Sequence, residues 1–204
     1  MYDRASRSEN LNFSGALSLR KTQFNEFIIR ENGLDKLGFK EWIFYPGMLF
    51  NAPDKWWGDR GKRNRPHEGL DLCLYRDRWD RILPLDEKTK IPVMYDGTVV
   101  RIVNDLLGKS IIMEHSLHDN DSRRFCTIYG HTNPSVDIHV GRIVKEGDII
   151  ATIADPNKLK INILQHLHIS LGWVSEVASY DKLDWETIGA SNTLTLLDPL
   201  HIID

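Results

Sequence analysis

The sequence predicts a mostly β protein, built as an antiparallel sheet, sandwich or partial barrel and preceded by a short helical N-terminal extension. From residue 69 onward, apolar residues recur at every second position in short runs, which is the period of a half-buried strand. Glycine, proline, asparagine and aspartate separate these runs, as they do at turns. No segment with helical periodicity lies between the runs, so consecutive strands are expected to pair antiparallel.

Composition narrows the possible classes of protein. The chain has 204 residues, 41% of them hydrophobic and 27% charged, which is typical of one sizeable soluble domain with or without an extension. The net charge of −3 gives no electrostatic reason to expect nucleic acid as a partner. No apolar run approaches the ~20 residues of a membrane-spanning helix. Two cysteines, Cys73 and Cys126, are too few for a disulfide scaffold.

The N-terminal part differs in pattern from the rest. Residues 1–20 are polar and irregular, and they are expected to form an arm or extension. Residues 22–32 carry Phe24, Phe27 and Ile28 at helical spacing, and Gly33 follows where a helix C-cap is expected. We therefore predict a short amphipathic helix within an N-terminal extension that covers residues 1–45.

The first predicted strands follow residue 69. In the run LDLCLY at 70–75, the leucines fall on one face and Asp71, Cys73 and Tyr75 on the other. Asp96-Gly97 is a strong hairpin-turn signal before the strand TVVRIV. Further strands are predicted at residues 110–116, 125–131, 136–140, 148–154 and 166–173.

Histidines are placed where metal chemistry would use them. Strand alternation puts His166, His168 and Ser170 on one face, and the residues between them face the core. Two imidazoles on one strand face can address one small volume, one as a metal ligand and the other acting on a substrate. For an isolated His-x-His, a solvent-facing pair on an edge strand is the more common arrangement.

Two other segments carry candidate ligands or catalysts. In PHEGLD, His67 precedes the strand that holds Asp71, and a histidine with a carboxylate offers the mixed ligands that suit zinc. Alone, this pair is more often a surface histidine and a polar-face aspartate. In the segment TIYGH, Thr127, Tyr129 and His131 are predicted to share a strand face.

The order His-x-x-x-Asp, Tyr-x-His and His-x-His resembles the lysostaphin-type zinc endopeptidases, which cleave peptidoglycan peptides. The lead-in WWGDRGKRNRPHEGLDL, the pair YDGTVVRIV and IIMEHS, the segment HVGRIVKEGDIIATIA and the closing LLDPL are also similar to that family. The resemblance spans about residues 48–200. It implies a lysostaphin-type domain at 46–204, with a curved, open and barrel-like antiparallel sheet around a zinc groove.

The resemblance also implies roles for individual residues. His67, Asp71 and His168 would bind one Zn²⁺ per chain, and His131 and His166 would be the catalytic histidines. Tyr129 matches the aromatic residue of the Tyr-x-His motif. Cys73 shares the face of Asp71, but a fourth protein ligand would close the site to water, so we interpret it as a buried thiol.

The implied function is that of a zinc metalloendopeptidase acting on peptide bonds of peptidoglycan, in a stem-peptide cross-link or a glycine bridge. The cell envelope or extracellular space is the location that the resemblance implies, although no apolar signal segment is visible at the N-terminus. One alternative is a non-catalytic metal-binding regulator, or a peptidoglycan-binding module, on the same scaffold. A second is a swinging-arm carrier domain, because VGRIVKEGDIIATI is similar to such domains, but their modified-lysine motifs do not occur here.

Overall fold

The structure is a computed structural model, and it describes residues 19–156, 163–175, 178–188 and 193–203. The helices in these ranges are α1 (Phe24–Glu31), α2 (Trp185–Ile188) and α3 (Leu200–Ile203), with 3₁₀ turns at Pro46–Met48 and Tyr180–Lys182. The strands are β1 (Phe39–Ile43), β2 (Leu70–Leu72), β3 (Leu74–Asp77), β4 (Ile82–Pro84), β5 (Lys90–Pro92), β6 (Gly97–Asn104), β7 (Lys109–His118), β8 (Arg124–Pro134), β9 (Ile143–Val144), β10 (Ile149–Ile153), β11 (Leu167–Val174) and β12 (Leu194–Leu197).

Most strands form one antiparallel sheet. Its main path runs in the order β12-β11-β8-β7-β6-β9, and β2 pairs with β11 on the same edge as β12. Strand β10 pairs with both β8 and β5, and β1, β3 and β4 form a separate three-stranded sheet. Within the described ranges the end strands β9 and β12 do not pair with each other, so the sheet is open. The prediction of a mostly β, antiparallel fold is confirmed.

Strand β11 lies at the centre of this arrangement. Its neighbours are β8 on one edge and β2 and β12 on the other, and every residue of the strand is buried. Leu167, Ile169 and Leu171 pack in the main hydrophobic core, as predicted. The alternate positions, which include His168 and Ser170, therefore face away from that core, because side chains alternate along a strand.

Helix α1 forms where the sequence predicts it. Phe24 and Ile28 are buried in the main core, and Gly33 follows the helix with φ +64°, the left-handed conformation in which glycine commonly ends helices. The Asn32 side chain exchanges two hydrogen bonds with the backbone of Lys90 in β5. The helix thus packs on the same core as the sheet, and a domain division at 45/46 stays a prediction. Residues 1–18 of the predicted arm lie outside the described residues.

The predicted continuous strand at 70–75 is wrong beyond Leu72. Strand β2 ends at Leu72, and after Cys73 strand β3 pairs with β1 and β4 instead of β11. Leu74 consequently packs beside Met48 in a small cluster, while Tyr75 joins the main core. The predicted alternation therefore holds on β2 and reverses after the break.

The predicted Asp96-Gly97 hairpin is also wrong. Strand β5 pairs with β10, and β6 pairs with β7 and β9, so the two strands that flank Asp96 do not pair with each other. Gly97 is not among the residues with positive φ, which the favoured two-residue Asp-Gly turn requires. A Cβ at Gly97 would lie 2.5 Å from the carbonyl oxygen of Glu114. Close packing of β6 on β7 therefore explains this glycine.

The strand predicted at 136–140 is likewise absent. These residues form turns, in which the amide of Ile138 donates to the carbonyl of Ser135. Ile138 is buried, whereas Val136 and Val140 are exposed. The apolar alternation at these positions therefore does not correspond to a buried strand face.

Two smaller findings complete the fold. Cys73 and Cys126 are both buried free thiols. Among the described residues, none of the helices has the length and apolar character needed to cross a bilayer.

Candidate metal centre

His67, Asp71 and His168 come together at the junction of β2 and β11; we call these three residues the metal group. Asp71 lies directly opposite His168 in the antiparallel register of the two strands, and directly opposed residues share a sheet face. His67 lies four positions before Asp71, and Gly69 between them has no room for a side chain, since a Cβ would lie 2.1 Å from the carbonyl oxygen of Ile169. Sheet register and one glycine thus bring the three side chains together.

One atom of each side chain faces a common point. Asp71 Oδ1 lies 2.8 Å from His168 Nδ1 and 3.1 Å from His67 Nε2, and the two nitrogens are 3.1 Å apart. Ligands bound about 2.1 Å from a tetrahedral ion are separated by about 3.4 Å. All three side chains are at least 94% buried. The spacing and chemistry of this donor set fit a zinc ion with one coordination position left open.

Hydrogen bonds on the far side of each group orient these atoms. His67 Nδ1 lies 3.0 Å from the carbonyl oxygen of Leu49, which can only accept, so Nδ1 is the donor of this contact and Nε2 faces the common point. The indole N–H of Trp56 donates to Asp71 Oδ2 at 2.6 Å, leaving Oδ1 toward the common point. His168 Nε2 lies 2.9 Å from the hydroxyl of Ser170. Such outer partners are typical of metal-binding histidines and carboxylates.

The charge states also suit a metal. Burial lowers the pKa of His168 to about 4 and that of His166 to about 3, so both imidazoles are neutral at pH 7. Burial alone raises the pKa of Asp71, but the nearby His67, His166 and His168 lower it well below its usual range. An ionised Asp71 and a neutral His168 are the protonation states that metal binding requires.

His166 lies beside the metal group and immediately before β11. Its Nδ1 lies 2.8 Å from the carbonyl oxygen of Leu164, so this nitrogen donates and the lone pair of the neutral ring is on Nε2. That Nε2 lies 3.8 Å from Asp71 Oδ1. The edge of the Trp56 ring packs against the imidazole, with ring centroids 5.1 Å apart. His166 thus presents an unprotonated nitrogen next to the atoms of the metal group.

His131 completes the set of predicted residues. Its ring centroid lies 4.7 Å from that of His166 and 5.9 Å from that of His168. His131 Nδ1 lies 3.1 Å from Asp105 Oδ1, and the His131 amide donates to Asp105 Oδ2 at 2.8 Å. The structure therefore brings together all five residues that the sequence motifs single out.

The predicted shared face of Thr127, Tyr129 and His131 is wrong at His131. Tyr129 pairs with Ile169 and is wholly buried in the main core, where its hydroxyl accepts the amide of Met94. His131 has φ +61°, and this left-handed residue interrupts the alternation. Tyr129 and His131 consequently face different environments, and Tyr129 does not line the cleft.

A cleft of about 420 Å³ opens beside these residues. Besides the five predicted residues, its walls include the aromatic side chains of Trp57 and Trp185, the apolar Leu106, and the acidic Glu68 and Glu186. Arg63 lies in a basic segment, residues 60–65, before His67, and its guanidinium donates to the backbone carbonyls of Asp54 and Gly47. The cleft is thus large enough for part of an extended peptide and has mixed apolar and charged walls.

Sequence reasoning missed two partners and underrated a third. Asp105 carried no motif, because its link to His131 spans 26 positions; the turn-like NDLLG segment was the only signal. Trp185, whose ring packs 4.9 Å from that of His168, lies in a stretch without a clear pattern. Trp56 lies in the lead-in segment of the family resemblance, which gave it no individual role, and its indole N–H donates to Asp71. Cys73, which we interpreted as a buried thiol, is buried. Burial raises its pKa to about 12, and the thiol donates to the carbonyl of Gln165.

Comparison with known families agrees with the motif resemblance. Residues 82–179 match the model of peptidase family M23. The matched stretch contains His131, His166 and His168, and it begins after His67 and Asp71. No protein of curated function matches the sequence.

Several solved structures are partly similar to this chain. Lysostaphin, solved in solution, has 19% identity and a TM-score of 0.43, covering 79% of this chain and 47% of that one. A zinc-containing peptidase from Vibrio cholerae has 20% identity and a TM-score of 0.41, covering 65% and 37%. The catalytic domain of the prophage-encoded M23 protein EnpA from Enterococcus faecalis has 17% identity and a TM-score of 0.40, covering 74% and 98%. The chain thus spans less than half of the first two proteins.

Proposed function

We propose that this chain, whose residues 82–179 match the model of peptidase family M23, is a zinc-dependent endopeptidase that hydrolyses peptide bonds of peptidoglycan. One observation carries the proposal: His67, Asp71 and His168 direct one donor atom each to a common point, beside two further histidines in the same cleft. Three protein ligands with an open fourth position are the pattern of catalytic zinc sites, whereas structural sites are closed by four. The ordered motifs support peptidoglycan as the substrate.

We assign zinc binding to the metal group, one ion per chain. Bound zinc would polarise the scissile carbonyl and lower the pKa of a water at the open position to about 7. The chain's contribution is to hold three donor atoms close together in a buried site, with Leu49, Trp56 and Ser170 fixing their orientation.

His166 and His131 are assigned to proton transfer and charge stabilisation. In each ring Nδ1 is engaged, by the carbonyl of Leu164 or the carboxylate of Asp105, and Nε2 remains available. Such a nitrogen can accept a proton from the attacking water, and as imidazolium it can donate to the developing oxyanion or to the leaving amine. The two rings lie 4.7 Å apart, so both can reach one scissile bond.

Mass spectrometry of fragments released from purified peptidoglycan tests this function. Zinc-loaded protein is expected to release fragments cut at a peptide bond, and a zinc chelator is expected to stop the release. The mass of the new termini identifies the bond as a stem-peptide cross-link or a glycine bridge. His118→Ala, which removes an exposed side chain on β7, is a control that should release fragments at the normal rate.

The opposite outcome is equally clear. Zinc-loaded protein that binds peptidoglycan but releases no peptide-cut fragment would contradict the proposal, and it would favour a non-catalytic regulator or binding module on this scaffold. Release that continues at the same rate in excess chelator would contradict the zinc assignment alone.

A further inference from the structure

We infer that Asp105 is a positioning residue that fixes which ring nitrogen of His131 faces the cleft. The inference deepens the proposed function, because it concerns the geometry of a histidine assigned to catalysis. Asp105 lies just after β6 and belongs to none of the motifs that carry the family resemblance.

The carboxylate holds His131 at two points. Asp105 Oδ1 lies 3.1 Å from His131 Nδ1, and Oδ2 accepts the His131 backbone amide at 2.8 Å. One contact fixes the ring and the other fixes the backbone. The backbone contact matters because His131 adopts φ +61°, a conformation that side-chain-bearing residues rarely adopt and that neighbouring contacts must enforce.

The carboxylate is itself immobilised. Oδ1 also accepts the amides of Leu107 and Gly108, at 2.9 and 2.8 Å, and Oδ2 accepts the Ser110 hydroxyl at 2.6 Å. The side chain is 1% exposed. Burial alone raises the pKa of Asp105, but the hydrogen bonds from the His131 ring, Ser110 and the His131 amide outweigh it, and the pKa lies below its usual range.

An ionised carboxylate accepts hydrogen bonds and donates none. A neutral His131 ring must therefore place its proton on Nδ1, which leaves the lone pair of Nε2 for the cleft. An aspartate that orients a catalytic histidine in the serine-protease triad acts on the same principle. Here the dyad would serve a histidine next to a metal group.

A second contact ties this arrangement to the metal group. The indole N–H of Trp185 donates to Ser110 Oγ at 2.9 Å, and the Trp185 ring packs 4.9 Å from that of His168. A chain of contacts thus runs from His168 through Trp185 and Ser110 to Asp105. These contacts link the two histidine-bearing segments by direct packing and hydrogen bonds.

The competing explanation is that Asp105 only forms the turn at 105–108. Asparagine forms such turns as well as aspartate does, so Asp105→Asn separates the two roles. Its carbonyl oxygen can replace one carboxylate oxygen, but its NH₂ group then faces a donor of His131, either the amide or Nδ1–H. We expect a loosened ring with a mixture of tautomers.

The ring tautomer is read from the ¹⁵N chemical shifts of His131 in the zinc-loaded protein, assigned by their absence in His131→Gln. Wild type should show a protonated Nδ1 and an unprotonated Nε2, and Asp105→Asn should show a substantial Nε2–H fraction. The variant should lose about 100-fold in kcat with KM changed less than about threefold. Zinc content should stay at one per chain.

Asp119→Asn is the matched control. Asp119 likewise accepts two backbone amides of its own turn, at 3.0 and 2.9 Å, between β7 and β8, but contacts no histidine of the cleft. It should leave the tautomer and kcat unchanged. An Asp105→Asn protein with the wild-type tautomer and wild-type kcat would overturn the inference. The tautomer is read without turnover, so this result is distinct from a failure of the proposed function.

Ser110→Ala carries the test if Asp105→Asn does not fold. It removes the hydroxyl that donates to Oδ2 and accepts the Trp185 indole N–H, and it keeps both the carboxylate charge and the turn. We expect kcat to fall by about three- to tenfold, the effect of one hydrogen bond, with zinc content unchanged. Wild-type kcat together with an unchanged His131 tautomer in this variant would contradict the inference.

Discussion

His168 and His131 flank the same cleft, but the chain holds them by different means. His168 lies inside a regular strand, opposite Asp71 in antiparallel register, and its side chain is 6% exposed. His131 lies where β8 leaves regular alternation, at φ +61°, and its side chain is 16% exposed. Register alone places the first histidine, whereas the second needs a local distortion and a carboxylate from 26 positions away.

This difference has an energetic side. A left-handed residue with a side chain costs about 1–2 kcal/mol, and the hydrogen bonds from His131 to Asp105 offset that cost. The metal group requires no such strain, but it gathers a buried carboxylate and two histidines, which zinc would stabilise. Substitutions in the metal group should therefore change the metal content, whereas substitutions at His131 or Asp105 should change turnover.

The largest expected effect is that of His168→Ala. Removing one of three ligands should abolish zinc retention, measured as metal content after gel filtration, and should lower fragment release by at least about 10³-fold, because the water-activating ion is lost. A variant that retains one zinc per chain and full activity would contradict the ligand assignment.

His131→Ala should distinguish the metal group from the pair formed by His131 and Asp105. Zinc content is expected to stay at one per chain, since no donor of the metal group is removed, while kcat falls by about 10²–10⁴-fold, the usual contribution of a general acid or base. The measurements are metal analysis and steady-state kinetics on the same sample. Loss of zinc from this variant would show that His131 belongs to the metal group.

The metal group was predictable from sequence because its geometry follows strand periodicity. The Leu-His-Ile-Ser-Leu alternation places His168 and Ser170 on one face, and the observed contact between them agrees. The His67-to-Asp71 spacing and the glycine between them belong to one short segment. Local patterns of this kind can be read directly, and family motifs add the partner strand.

The surroundings of His131 were not predictable in the same way. Strict alternation predicts a face shared with Tyr129, and the left-handed backbone at His131 breaks that rule. The register of β7 on β8 also shifts between Lys109 and Ile111, opposite this segment. Nothing in the NDLLG turn indicates which residue its aspartate will meet. The hairpin predicted at Asp96-Gly97 was wrong for a related reason, since a tertiary contact with Glu114 accounts for the glycine.

Trp56→Phe should have an intermediate effect, on the metal group alone. The change removes the indole N–H that donates to Asp71 Oδ2 and retains an aromatic ring near His166. Zinc affinity is expected to fall by about 10–100-fold, as for other outer partners of metal ligands. Competition with a fluorescent zinc indicator measures it, and Trp57→Phe, which alters the neighbouring indole, is the matched control. Equal zinc affinity in Trp56→Phe and Trp57→Phe would show that the Trp56 hydrogen bond does not strengthen zinc binding.

The smallest expected effect is that of replacing His115, a buried histidine outside the metal group and apart from His131 and Asp105. His115 Nδ1 donates to the carbonyl of Asp96 at 2.9 Å, and Nε2 lies 3.0 Å from the hydroxyl of Thr127. His115→Phe should leave zinc content unchanged and lower the free energy of unfolding by about 1–3 kcal/mol, since buried polar groups lose their partner. Loss of zinc from this variant would contradict the separation of His115 from the metal group.

The same residue predicts a pH dependence. Burial lowers the pKa of His115, against the raising effects of the Asp96 carbonyl and of the charges on Glu114 and Asp96. The folded state therefore favours the neutral ring, and its contribution is complete above the unfolded pKa of about 6.5 and is lost as pH falls toward the folded value. Between pH 7 and 5, the free energy of unfolding measured with urea should fall more for the wild type than for His115→Phe. Because the other histidines are present in both proteins, the difference isolates His115, and equal slopes would show that folding does not lower the pKa of its ring.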